Sequence, residues 1–171
     1  MNFTKILKND LTPSQLELIM RAKEVMVHSY NIYSHFYVGA AVRTKSGQIY
    51  VGTNVENASY GLAICAEPSA LTSAFSAGDP CVVEMAVIGA PSPDAIGGSV
   101  TTPCGRCRQM IYETSEVSGT DIVMFCCNAD LSDIIQTTIS ELLPLPFGPK
   151  DLGATKDLNK YLLQVKAPKG K

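Results

Sequence analysis

The chain contains no Trp and only two His, and 7% of its residues are aromatic. Both His28 and His35 lie well before the Cys-bearing segments, so each is expected at the surface or in a satisfied core position, not at a metal. There is no basic surplus: 14 Lys and Arg stand against 16 Asp and Glu, for a net charge of −2. That balance argues against a dedicated nucleic-acid binder. Long apolar runs are missing too. Met85-Ala86-Val87-Ile88 is stopped by Gly89, and no helix is expected to span a membrane. No apolar stretch follows the two Lys of Met1–Pro13, so a signal peptide is not expected. The six Cys therefore read as reduced thiols, metal ligands or core residues in place of a disulfide framework. What is present, 171 residues of which 46% are hydrophobic, allows one globular domain with a proper core, expected in the cytoplasm without a membrane partner.

Charge is unevenly spread. Residues 148–171 carry six Lys and two Asp, whereas residues 1–147 carry eight basic and fourteen acidic groups. The division expected is a domain over 1–150 and a Lys-rich extension over 151–171, with a helix over Thr155–Lys166 and a disordered end. The extension reads as a solvated tail, with a docking arm as the alternative.

Thr12-Pro13-Ser14-Gln15 is a capping-box helix start, and Leu16, Ile19, Met20, Lys23, Met26 and Val27 carry a helix to about His28. Strands are expected over Val38–Thr44, Gln48–Asn54, Val82–Ala90, Ile122–Cys127 and, more weakly, Ile134–Ile139. Helices are expected over Cys65–Ala77 and Gly105–Glu116, with a short helical turn at Glu141–Leu143. The order points to a layered α/β domain whose sheet begins antiparallel and continues parallel.

Two segments carry chemistry, each opening a helix: Cys65-Ala66-Glu67 and Pro103-Cys104-Gly105-Arg106-Cys107. Free N–H groups and the positive dipole end favour a thiolate at a helix start. Two such starts meeting at one sheet edge place three thiolates around a zinc ion and leave a fourth position for water, the catalytic arrangement. Glu67 would stand beside that water without binding the metal. A redox Cys pair is the alternative for C-x-x-C alone. A closed four-Cys site using Cys81, Cys126 or Cys127 is another, although Cys126 and Cys127, adjacent on a strand, look like core residues facing opposite ways.

The paired segments match the zinc deaminase signature. Beyond them, Tyr33-Ser34-His35-Phe36-Tyr37-Val38-Gly39-Ala40-Ala41, Gly52-Thr53-Asn54-Val55-Glu56-Asn57-Ala58-Ser59-Tyr60, Ile64–Glu67, Pro103–Gln109 and Glu141–Pro149 resemble, in order over residues 12–152, the tetrameric cytidine deaminases of pyrimidine salvage. The resemblance implies a three-layer α/β/α fold with a five-stranded mixed sheet, one zinc per subunit, and a homotetramer with shared active sites. It implies Cys65, Cys104 and Cys107 as zinc ligands and Glu67 as the proton shuttle. Phe36 would pack on the base, Asn54 and Glu56 would bind the ribose 3′-hydroxyl, and the Ala66 N–H and Thr102 carbonyl would bind the base edge. Phe147, Tyr60 and the Ala58 backbone would act across a subunit boundary. Read without the resemblance, Asn54 and Glu56 are ordinary turn residues and either Phe is a core residue.

The implied activity is hydrolytic deamination of free cytidine or 2′-deoxycytidine to the uridine nucleoside and ammonia. The alternative is the same chemistry on a modified cytosine nucleoside, blasticidin S or a 4-substituted cytidine. Glu67 argues against a purely structural zinc module, and the net −6 of residues 1–147 against a polynucleotide substrate. Two departures stand out. Pro68 occupies the place where such proteins usually carry Arg, leaving Arg106 or Arg108 to offset the thiolate charge. The stretch from Pro91 to Gly98 also looks longer than usual.

Overall fold

A computed structural model describes residues 3–166; the expected disordered end of the tail lies outside the described residues. The order is β1 (Thr4–Ile6), α1 (Pro13–Met26), β2 (Tyr37–Thr44), β3 (Ile49–Thr53), α2 (Ala66–Ser76), β4 (Val82–Ala90), α3 (Gly105–Ser118), β5 (Val123–Cys127), β6 (Ile134–Thr138), α4 (Ile139–Leu142) and α5 (Thr155–Lys166). The capping box of α1 forms as expected, with Gln15 N–H donating to Thr12 Oγ1 and Thr12 N–H to Gln15 Oε1. None of the helices among the described residues is long and apolar enough to cross a membrane.

One mixed sheet runs β1-β6-β5-β4-β2-β3. It has six strands where five were expected. The added strand, Thr4–Ile6, is too short to show a period, and it forms because it pairs along the otherwise open edge of β6. The expected parallel continuation is also corrected. Only β4 and β5 pair in parallel, and β6 returns antiparallel to β5. The stretch between Cys127 and Ile134 is too short for the crossover that a parallel neighbour needs.

Helices cover both faces, giving the three layers. On one face α1 buries Leu18, Ile19, Ala22 and Met26 against Ala41, Ala86, Ile88 and Phe125. On the other, Ala70, Leu71 and Ala74 of α2 and Ile111 of α3 pack on Ala40, Val42, Met85 and Met124. Val27, assigned to the apolar stripe of the first helix, is instead exposed.

Two glycines set how closely the helices lie. A Cβ at Gly39 would fall 2.0 Å from the Ala22 carbonyl oxygen, and one at Gly52 would fall 2.2 Å from the Ala70 nitrogen. Because the sheet is antiparallel on both sides of β2, strands β3, β4 and β5 all run the same way. Their carboxyl ends share one edge, where α2 and α3 begin and where β2 starts. Binding sites in open α/β sheets form at such an edge.

Backbone, not a mobile side chain, blocks a methyl group at Gly52. Gly52→Ala is expected to destabilise the fold by about 2–3 kcal/mol. A denaturant midpoint equal to the parent's would contradict this packing.

Candidate active site

Cys65 and Cys104 are the N-cap residues of α2 and α3, in extended conformation, and neither thiol caps its own helix. Cys107 sits one turn into α3 and is fully buried. The three sulfurs lie within 4.8 Å of one another, with Cys104 and Cys107 3.5 Å apart. Tetrahedral zinc–thiolate bonds would hold sulfurs about 3.8 Å apart, so this donor set fits zinc. Among the described residues these three form the group placed to hold a metal ion, and Cys81, Cys126 and Cys127 are not part of it. Burial pushes the Cys126 thiol up to about 12 and raises the Cys127 thiol as well, which marks both as core residues.

The electrostatics suit a cation. The neighbouring Cys107 thiol draws the Cys65 thiol down to about 6. The same contact and burial push Cys107 up. Glu67, 4% exposed, has its carboxyl raised above the ordinary range by desolvation.

Pro68 occupies the third position of α2 and interrupts nothing, because the first intrahelical bond there is Ser69 N–H to the Cys65 carbonyl, 3.3 Å. Of the two candidate arginines, Arg108 straps the Pro103 and Leu142 carbonyls at 2.9 and 3.0 Å. Arg106 reaches the Ala63 carbonyl at 3.3 Å, two residues before Cys65, and its charge helps lower that thiol. It thus ties the C-x-x-C turn to the approach of the first ligand.

The thiols open onto a cleft of ≈ 340 Å³ whose lining includes Phe36, Asn54, Glu56, Ala66, Glu67 and Thr102, all assigned from sequence. Asn54 and Glu56 are both strongly engaged. Asn54 Oδ1 accepts from Val38 N–H at 2.9 Å, and its Nδ2 donates to the Phe36 carbonyl at 3.0 Å. Glu56 Oε2 accepts from Tyr33 and Ser34 N–H at 2.9 and 3.1 Å. These bonds, together with one from Ser34, lower the Glu56 carboxyl. Both side chains therefore hold the approach to β2, and hence Phe36, in place. The simple turn reading understates them.

Ala58, Tyr60 and Phe147 do not line this cleft. Tyr60 meets Tyr33 edge to face at 6.1 Å, and the Phe147 carbonyl accepts from Gln109 at 2.7 Å. Ser34, Val38, Ala63, Ile64 and Thr101 also line the cleft and were not assigned from sequence. Val38 was within reach, since it follows Phe36 at strand period; the others need the tertiary fold. His28 and His35 are exposed.

Residues 13–128 match the cytidine and deoxycytidylate deaminase zinc-binding region. The chain belongs to that family. It is 40% identical over 135 residues to a cytidine deaminase of Halalkalibacterium halodurans, covering 79% of this chain and 95% of the relative. Identity to a blasticidin-S deaminase of Bacillus cereus is 33% over 140 residues, covering 81% and 95%. A cytidine deaminase crystal structure from Burkholderia pseudomallei superposes with a TM-score of 0.67 at 36% identity, covering 80% of this chain and all of that one. Zinc is the metal of the family, and the three-thiol group is where this chain can hold it.

Replacing Cys81, Cys126 or Cys127 with Ser should leave one zinc per chain by metal analysis, whereas Cys65→Ser, Cys104→Ser or Cys107→Ser should lose it. Arg106→Ala is expected to release zinc to a chelator several-fold faster, with Arg106→Lys recovering part of the loss. Unchanged release would leave Arg106 no role at the metal.

Proposed function

We propose that this chain hydrolyses free cytidine and 2′-deoxycytidine to the uridine nucleosides and ammonia, as a cytoplasmic enzyme of pyrimidine salvage. One observation carries the reading: a buried carboxyl of raised proton affinity stands beside three convergent thiols, and the cleft it lines also carries Asn54 and Glu56.

Zinc held by Cys65, Cys104 and Cys107 supplies activation of water. Glu67 does the proton work. Its raised proton affinity lets it take a proton from the attacking water, pass it to ring nitrogen 3, and assist protonation of the departing amine. The Ala66 N–H, in the first turn of α2 with no intrahelical acceptor, and the Thr102 carbonyl hold the base edge. Phe36 packs on the ring. Asn54 and Glu56 bind the 3′-hydroxyl with the donor and acceptor capacity that their backbone contacts leave over. Domain and extension divide at about residue 150.

The assembly is a homotetramer in which Phe147, Tyr60 and the Ala58 backbone complete neighbouring sites. Supporting this, Tyr60 is 78% exposed and Phe147 58%, and neither lines its own cleft. Tyr30, Val55 and Ile64, joined by backbone bridges, are exposed beside Tyr33, Tyr60 and Leu62. So broad an apolar patch fits an interface.

Glu67→Gln should keep its zinc and fold yet lose about 10³-fold or more in cytidine turnover, followed by absorbance, because an amide cannot carry the proton. Near-parental turnover in the zinc-replete variant would overturn the mechanism. Light scattering on dilute, active enzyme should give four chains; a fully active monomer would exclude shared sites.

A further inference from the structure

Phe147 is an exposed residue on a segment that is otherwise packed down. It is 58% exposed, whereas Gly148 and Pro149, directly after it, are buried. Its backbone is held by one helix.

From Leu142 to Lys150 the chain is fastened along α3. Arg108 Nη1 donates to the Leu142 carbonyl at 3.0 Å, and Gln109 Nε2 to the Phe147 carbonyl at 2.7 Å. A Cβ added to Gly148 would fall 2.6 Å from Tyr112 Cε1, so the glycine backbone rests against the Tyr112 ring. Lys150 Nζ reaches Glu116 Oε2 at 3.7 Å. Gln109, Tyr112 and Glu116 recur at helical spacing and form one stripe of α3. The segment is also closed on itself. Gly148 N–H donates to Asp151 Oδ2 at 2.7 Å, and Ala154 N–H to the Pro149 carbonyl at 2.8 Å.

The Gln109 bond and the Tyr112 ring thus fix the backbone on either side of the Phe147 carbonyl while the residue itself stays in solvent. A ring fixed at its base has less freedom to lose when it meets a ligand, so more of its contact energy is kept. The same helix serves the metal group. Cys104 is its N-cap, and Cys107 lies two residues before Gln109. α3 therefore delivers two thiols to its own cleft and presents Phe147 outside it, since Phe147 does not line that cleft.

We propose that Gln109 and Tyr112 are positioning residues that hold Phe147 for the nucleoside site of a neighbouring copy, so that α3 of one subunit sets base recognition in another. The proposal rests on the shared-site reading above, which gives Phe147 a target. Neither residue touches the nucleoside; both act through the Phe147 backbone. A ring that covers the base meets substrate and transition state alike, so misplacing it raises KM and leaves kcat.

The test is a double-mutant cycle on the zinc-loaded full chain with cytidine as substrate. Gln109→Met keeps the side-chain length and removes the donor. It should raise KM about fivefold with kcat within about twofold, and Gln109→Lys, which restores a donor, should recover part of the loss. Tyr112→Ala, which takes the support from Gly148, should follow Gln109→Met. Phe147→Ala should raise KM about tenfold, and adding Gln109→Met to it should change KM by less than about twofold, because the bond then positions no ring. Metal analysis and light scattering report that each variant is folded and assembled. Gln109→Met chains assembled with an excess of zinc-loaded Glu67→Gln chains should regain a near-parental KM, because the inactive subunit lends a well-held Phe147. An unchanged KM in Gln109→Met, or effects that simply add, would overturn the proposal and leave the shared-site reading standing. No fall in KM in the mixed assembly would overturn it too. An unchanged KM in Phe147→Ala would remove the reading and the proposal together.

Discussion

Three sulfur atoms held within 4.8 Å of one another are the constraint on which the rest of the molecule depends. Local structure supplies only one pair, Cys104 and Cys107, one helical turn apart. The third must be delivered by a different helix, so the starts of α2 and α3 have to be docked at the same sheet edge. The parallel run of β3, β4 and β5 puts both starts there, and Gly39 and Gly52 let the helices on the two faces lie close enough to stay. The same edge carries the start of β2 and the residues after β3, so Phe36, Asn54 and Glu56 arrive with the thiols.

Electrostatics at that edge pull in two directions. Three thiols and a carboxyl are crowded together, and the charged forms repel one another. Helix-start N–H groups and Arg106, bonded to the Ala63 carbonyl, favour the thiolates. Burial raises the proton affinity of Glu67. The result moves neighbouring acids in opposite directions: the Cys65 thiol is drawn down to about 6, while the Glu67 carboxyl is raised. With Pro68 beside Glu67, α2 brings no cation to the site, and Arg106, inside the C-x-x-C turn, bonds the Ala63 carbonyl and helps lower the Cys65 thiol.

The other end of the cleft is organised by backbone. Glu56 accepts two N–H groups from the turn before β2, and Asn54 forms a two-point bond with Phe36 and Val38. One pair of side chains thus holds the approach to β2 and sets the place of Phe36 in the cleft wall. Next to that wall, the connection between β4 and α3 is fastened through Gly97, Gly98 and Thr101 to Asp130, Asn128 and Cys127.

The three-thiol group, the capped first helix, the buried strands and even the helix over Thr155–Lys166 were legible in the sequence, because each is written in short-range spacing: Cys at a helix start, C-x-x-C, a capping box, continuous apolar runs. What the chain alone did not determine depends on partners distant in sequence. Thr4–Ile6 becomes a strand only because β6 offers an edge, and β6 turns back because its connection is too short to cross over. The choice between Arg106 and Arg108 required seeing which carbonyls each one reaches. The loop between β4 and α3 takes its place through bonds to Asp130, Asn128 and Cys127, some thirty residues later in the chain. Spacing along a chain encodes which groups share a turn of helix or a face of a strand; which turns then meet is decided by packing.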